Sequence, residues 1–389
     1  LVPGDIVLLE AGDVVPAKVQ AQNTAGRTVE TTYTPSIIPV NPSANPATSE
    51  GPQGVEQTGT VEFIPGNPQK APETPAPIDK STITLLGKDG QPAETVTVTD
   101  KDGKEIGVYS LVKDPNGTPT GEVKFTPTDK TYVGKVEPVT VQAKDKNSTV
   151  AKTTYTPNFT GVTPTAEPKE TKDVQGATQT GKPTFTPGDA KVPMNDEVPA
   201  TLEGADAEGK VVVKGEGTYT VAPDGTVTFV PEKTFTGTGT GVTVKRVDKN
   251  GTEATAKYTP TVLPATPTAT PAESTGIQGK PQKGLPQFLG GRVSVDGVQK
   301  IVPIDETKAL ELIDPKTGKP SIDENGDSVP VVVKGEGTYK VENGKVVFTP
   351  EPQFTGKATG IDVQRVDKNG TPVSAKYTPT VTPVTPTAE

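Results

Sequence analysis

Along most of this chain apolar and polar residues alternate with a period of two. In the run 217–231 Tyr219 and Val221 share one face and threonines the other, Pro223-Asp224-Gly225 interrupts, and Val227 and Phe229 resume the alternation. Period two predicts strands rather than helices. Asp-Gly supplies the positive φ of a tight hairpin turn, as do Asn343-Gly344, Asn250-Gly251 and Asn369-Gly370. Threonine and valine dominate the predicted strands, and both suit a pleated surface. Helical patterning is confined to two short stretches, 305–313 and, more weakly, Pro199 to Glu203, where the proline would sit in the first turn.

The same strand-and-turn blocks recur. Tyr-Thr-Pro begins at Tyr33, Tyr155, Tyr258 and Tyr377, each preceded by a related hairpin at 19–35, 141–157, 244–260 and 363–379. An upstream block aligns Tyr109, Tyr219 and Tyr339, then Phe125, Phe229 and Phe348, then Tyr132, Phe235 and Phe354. A third block begins Gln53-Gly54, Gln175-Gly176 and Gln278-Gly279, and aligns Phe63, Phe185 and Phe288. Three full modules are predicted, at 47–160, 166–262 and 272–381. Residues 1–36 read as the C-terminal part of a truncated repeat, with Gly12 matching Gly134, and 382–389 as a linker to a next repeat. The Pro/Thr-rich joins at 41–50, 160–170 and 263–273 are expected to be extended, with polyproline character. The fold class expected is all-β, with tandem antiparallel β-sandwich-like modules in an elongated rod.

Composition sharpens this picture. Apolar residues make up 31% of 389 residues, with nine phenylalanines, eight tyrosines and no tryptophan, so several small cores fit better than one large one. The 41 glycines and 42 prolines recur at fixed places and read as turn residues. A net charge of −9 argues against nucleic acid and anionic lipid as partners. Cysteine and histidine are both absent. No apolar run approaches the ~20 residues needed to cross a membrane, and no signal peptide opens the chain. An exported protein of this kind would carry its export and anchoring signals in other segments.

Candidate chemistry is sparse. The opening 1–17 is similar to a stretch of the actuator domain of P-type cation ATPases, but that family's phosphorylated aspartate loop is missing; the nearest string, 314–318, has a proline inserted. Residues 176–182 match the phosphate-binding G-x-x-x-x-G-K pattern, yet Pro183 stands where a metal-binding hydroxyl belongs and no helix follows, so a turn before a strand is expected. The Gly-rich run 237–241 is expected to be a bend or bulge. A histidine-based triad has no base. Asp100-Lys-Asp102-Gly103 and the run 323–327 place oxygen ligands close together but lack a calcium loop's distant glutamate, and they read as solvated turns. A Lys–Asn isopeptide bond is permitted by composition, although Asn250 and Asn369 fall in turns expected to be exposed. Accordingly no catalytic, cofactor-binding or metal-ligating residue is assigned, no cofactor is expected, and an enzyme is not.

The blocks at 213–237, 241–252 and 256–269, with their counterparts in 272–381, resemble the repetitive region of CshA-type fibrillar surface adhesins of streptococci and related Gram-positive bacteria. The match is specific over 166–262 and 272–381, and altered but clear over 47–160. The resemblance implies an extracellular, cell-wall-anchored protein, anchored through segments outside this chain. Its repeats would be a structural stalk extending a distal binding region from the bacterial surface. The partners implied are adjacent repeats in the same chain. In the alternative reading the repeats themselves bind host matrix protein or neighbouring fibrils through variable loops, with 90–105 and 305–328 as candidates.

Overall fold

The computed structural model describes residues 17–34, 39–66 and 76–387, and every regular element among them is a β-strand. These residues fall into two compact units. The first holds the described residues up to Thr163 together with Pro187–Pro193 and Asp248–Thr252; the second holds Pro164–Thr186, Met194–Val247 and Glu253 onward.

In the first unit a four-stranded sheet runs in the order Gln57–Thr60, Pro119–Pro127, Glu105–Lys113, Thr95–Thr99. It packs on a larger sheet built around Val150–Thr160, Val139–Asp145 and Ile78–Leu86. Between them lie Leu85, Tyr109, Val123, Phe125, Val141 and Tyr155, all fully buried. The second unit contains this sandwich twice. One copy sets Gln179–Gly181, Val227–Pro231, Gly217–Val221, Val211–Val213 against a sheet centred on Glu253–Leu263 and Val242–Val247. The other sets Gln282–Gly284, Lys345–Pro350, Gly337–Glu342, Val331–Val333 against Pro372–Thr382 and Ile361–Val366.

The aromatic residues aligned in the sequence occupy matching places. Tyr109 lies opposite Phe125, Tyr219 opposite Phe229 and Tyr339 opposite Phe348 on paired strands. Their ring centroids are 4.7, 4.5 and 4.6 Å apart. From the facing sheet Tyr155, Tyr258 and Tyr377 meet the same tyrosines edge-on at 5.9, 6.4 and 6.4 Å. Such pairs add ~1 kcal/mol each beyond the area they bury. With few large residues available, each core is built on this aromatic trio.

One pairing departs from the antiparallel rule. The first long strand of each sandwich lies parallel to the last: Ala47–Pro52 along Val150–Thr160, Lys169–Val174 along Glu253–Leu263, and Ala272–Ile277 along Pro372–Thr382, over six residues each time. Each chain segment therefore enters its sandwich at one end and leaves at the other.

Three expectations are corrected. The joins are not free polyproline: Ser43–Asn45, Thr165–Glu167 and Thr268–Thr270 pair with Glu62–Ile64, Thr184–Thr186 and Gln287–Leu289. Pro46, Pro168 and Pro271 each fall where the chain changes strand partner, a place that needs no N–H donor. Residues 305–313 are not helical; Glu311–Asp314 pairs with Ile361–Val366. Leu310 and Leu312 are buried while Glu311 receives the Gln364 amide at 2.9 Å, an alternation a helix would not produce. Nor is Pro199 to Glu203 helical, because Thr201–Leu202 joins the edge of the sheet beside Val242–Val247.

Residues 1–16, with the actuator-like opening and Gly12, lie outside the described residues, as do 388–389. In the segment that follows, Ala17–Gln22 pairs with Thr28–Tyr33 as an antiparallel hairpin. Its Tyr33 is 64% exposed, unlike the fully buried Tyr155, Tyr258 and Tyr377.

Candidate functional site: the turn that receives a following repeat

Each first strand ends in a Gln-Gly turn. In the second unit the Ala177 N–H closes this turn on the Val174 carbonyl at 3.0 Å, and Gly176 takes φ +82°. Gln175 is held on three sides. Its N–H donates to the Leu263 carbonyl at 2.8 Å, its side-chain amide donates to the Lys233 carbonyl at 2.9 Å, and its side-chain oxygen accepts the Ala265 N–H at 3.5 Å. Only its own carbonyl is left to face outward.

That carbonyl accepts the side-chain amide of Asn369 at 2.9 Å, a residue 194 positions later. The hairpin tip carrying Asn369 is braced by the buried Asp367, whose Oδ1 accepts the N–H groups of Asn369 and Thr371 at 2.9 and 2.8 Å. Asn369 also covers the glycine: a Cβ on Gly176 would lie 2.1 Å from its Oδ1. Beside this contact Val174, Ala265 and Val302 are buried together, and Lys300 reaches Asp173 at 2.6 Å. A partly exposed ion pair of this kind is worth under ~1 kcal/mol, and a neutral amide bond about 1 kcal/mol, so the contact acts through its sum.

The first unit contains the same device. Gln53 accepts the Asn250 amide at 2.9 Å on its carbonyl, and Asp248 braces Asn250 and Thr252 at 2.9 and 2.8 Å. A Cβ on Gly54 would lie 2.0 Å from Asn250 Oδ1. Asn250 and Asn369 are thus half-buried rather than exposed, which corrects the sequence expectation. The sequence shows Gln53, Gln175 and the two asparagines only as repeated turn residues, not as partners; the signal that joins them is the recurrence of Gln-Gly and of Asp-Lys-Asn-Gly.

Behind each Gln-Gly turn a buried polar relay fastens the first strand to the last. Ser49, Thr171 and Ser274 donate to Gln57, Gln179 and Gln282 at 2.6, 2.6 and 2.7 Å. Having spent their single hydrogen, these hydroxyls accept from Tyr155, Tyr258 and Tyr377 at 2.7, 2.8 and 2.7 Å. Burial pushes all three phenols above their ordinary pKa, partly opposed by that hydrogen bond.

The remaining candidates resolve into turns. Gly176–Lys182 is the Gln-Gly turn and the strand after it, with Lys182 paired to Asp224 at 3.0 Å. Asp100 Oδ1 accepts the N–H groups of Asp102 and Lys104, and Asp323 Oδ1 those of Asn325 and Asp327, all at 2.9 Å. Among the described residues no helix is long and apolar enough to cross a membrane.

No curated protein matches the chain. Among solved structures it is similar to mouse cadherin-23 EC22-24, at 15% identity over 89% of this chain and 100% of that one, with a TM-score of 0.31. It is also similar to Sidekick-1 immunoglobulin domains 1-5, at 13% identity over 97% and 69%, with a TM-score of 0.30. The I9-I11 tandem of titin shares 9% identity over 88% and 98%, with a TM-score of 0.27. The family model of the surface adhesin CshA repetitive domain matches residues 39–159, 161–262 and 264–381. By these three matches the chain belongs to the CshA repetitive-domain family of surface adhesins.

Proposed function

We propose that these repeats are the load-bearing, non-enzymatic stalk of a cell-wall-anchored fibrillar adhesin, extending a distal binding region from the bacterial surface. The repeats delimited at 47–160, 166–262 and 272–381 would be its folding units. The observation that carries this reading is the parallel pairing of first and last strands over six residues in all three sandwiches. Tension along the chain pulls these two strands in opposite directions past each other. It therefore loads the whole ladder in shear, instead of opening it one bond at a time as in a hairpin pulled from its open end. The Ser/Thr–Tyr–Gln relay bridges the same two strands and resists the same slip. Resistance to force is a matter of unfolding rate, so small cores of modest equilibrium stability are compatible with it.

Single-molecule pulling tests the reading. Pulled through its ends, the chain should give one unfolding event per repeat, at higher force than when the same repeat is pulled through cysteines placed across the open end of the Val242–Val247 and Glu253–Leu263 hairpin. Equal forces in the two geometries would remove the support for a load-bearing role.

A further inference from the structure

Four turns of the chain share the pattern Asp-x-Asn-Gly, beginning at Asp114, Asp248, Asp323 and Asp367. In each, the aspartate Oδ1 accepts the N–H of the asparagine and of the residue after the glycine, at 2.8 or 2.9 Å. Each glycine N–H donates to the aspartate carbonyl at 2.9 or 3.0 Å, and Gly117, Gly251, Gly326 and Gly370 take φ of +83°, +84°, +83° and +83°. The asparagine side chains set the turns apart. Those of Asn250 and Asn369 are half-buried and donate to the Gln53 and Gln175 carbonyls. Those of Asn116 and Asn325 are exposed and, among the described residues, meet no such acceptor.

An asparagine followed by glycine is open to attack by its own backbone, because glycine has no Cβ to shield its nitrogen. The Gly370 nitrogen gives up its proton to solvent and bonds to Asn369 Cγ; the Cγ–Nδ2 bond breaks and ammonia leaves. Water then opens the five-membered imide, leaving aspartate or isoaspartate. Attack requires Asn369 to swing its Cγ over that nitrogen. Docking opposes the swing, since the amide is held at Gln175 and the side chain lies against Gly176. We propose that Asn250 and Asn369 are deamidation sites shielded by the repeat-to-repeat contact, so that opening of the contact exposes them and the reaction makes the opening permanent. The product cannot dock again in the same way. A carboxylate has no hydrogen to donate, and it would face the carbonyl of Gln175, which three hydrogen bonds keep in place. Each joint thus keeps a chemical record of having opened. The proposal requires the docking geometry and not the load-bearing role, so either can fail alone.

Peptide mapping by mass spectrometry, on the whole chain aged at mildly alkaline pH, reads all four sites at once. Asn116 and Asn325 should lose ammonia about tenfold faster than Asn250 and Asn369, the factor that ~1.4 kcal/mol of docking supplies. Because glycine follows all four asparagines on the same backbone, their intrinsic reactivity cancels from the comparison. Gly176→Ala, whose Cβ would lie 2.1 Å from Asn369 Oδ1, should bring Asn369 to the Asn116 rate while Asn250 stays slow. Gly54→Ala should do the reverse, and in each variant the untouched joint reports that the chain is still folded. Asn369→Asp, which writes the product into the sequence, should raise amide exchange over 175–177 and leave Ile361–Val366 protected. Equal rates at the four sites, an Asn369 still slow in Gly176→Ala, or unchanged exchange in Asn369→Asp would overturn the proposal.

Discussion

The first and second repeats place different chemistry at the same point of the same core. In the first, Ile106 precedes Gly107 and is buried among apolar side chains, while Tyr109 donates to the Glu137 carbonyl at 2.7 Å. In the second, Glu216 precedes Gly217, in the same register, and is 6% exposed. Its carboxylate accepts the N–H and hydroxyl of Thr240, both at 2.8 Å, and the hydroxyl of Tyr219. These two repeats therefore both fill this position and bond the tyrosine hydroxyl, by two unrelated solutions. The apolar solution is indifferent to its surroundings; the acidic one works only with its donors in place.

Exchanging the residues breaks the symmetry of that comparison. Ile106→Glu puts a carboxylate where no donor is waiting and should cost the first repeat about 3–5 kcal/mol. Hydrogen exchange should show it as loss of protection along Glu105–Lys113, with Gly217–Val221 unchanged. Comparable protection in both would mean that the first repeat can recruit donors its structure does not present. The reverse change, Glu216→Ile, keeps the space filled but leaves the Thr240 N–H and hydroxyl without their acceptor, for about 2–3 kcal/mol. Urea unfolding followed by exchange at Gly217–Val221 measures it.

Where the two repeats agree, equal responses are expected. Tyr155→Phe and Tyr258→Phe each remove a hydroxyl from a hydroxyl–glutamine relay that otherwise stays intact, so each should cost about 1 kcal/mol. A large inequality in denaturant midpoint shifts would show that the relay is not equivalent in the two repeats.

Much of this comparison could be read before any coordinates. Alternation plus an Asp-Gly turn puts Tyr219 across from Phe229, because hairpin register follows from turn and spacing. Repetition then carries the pairing to Tyr109 and Tyr339. The short helix expected at 305–313 failed because its leucines also fit a period of two, and a neighbouring strand edge decided between them. The contact of Asn369 with Gln175 was not legible for another reason. Nothing local distinguishes a solvated Asp-Lys-Asn-Gly turn from one docked on a residue 194 positions earlier. The phosphate-loop pattern at Gly176 was a by-product of the same turn: its glycine serves positive φ and the close approach of an amide, not a phosphate.

The smallest difference between the repeats is expected at alkaline pH. Burial comes first among the causes that raise the phenols of Tyr109 and Tyr155 in the first repeat and of Tyr219 and Tyr258 in the second. At Tyr219 the hydrogen bond to Glu216 adds to it. A phenol whose folded pKa is raised stabilises the fold while it is neutral. That contribution is fully present below pH ~10, the phenol's unperturbed value, and is lost as the pH climbs through the higher folded value. Both repeats should therefore hold their stability up to about pH 10 and lose it over the same interval above. Exchange protection followed from pH 8 to 11 in each repeat measures this. Loss in the second repeat that runs much deeper than in the first would mean that the Glu216 hydrogen bond, more than burial, raises its tyrosine, and the acidic solution would then carry a sensitivity to pH that the apolar one lacks.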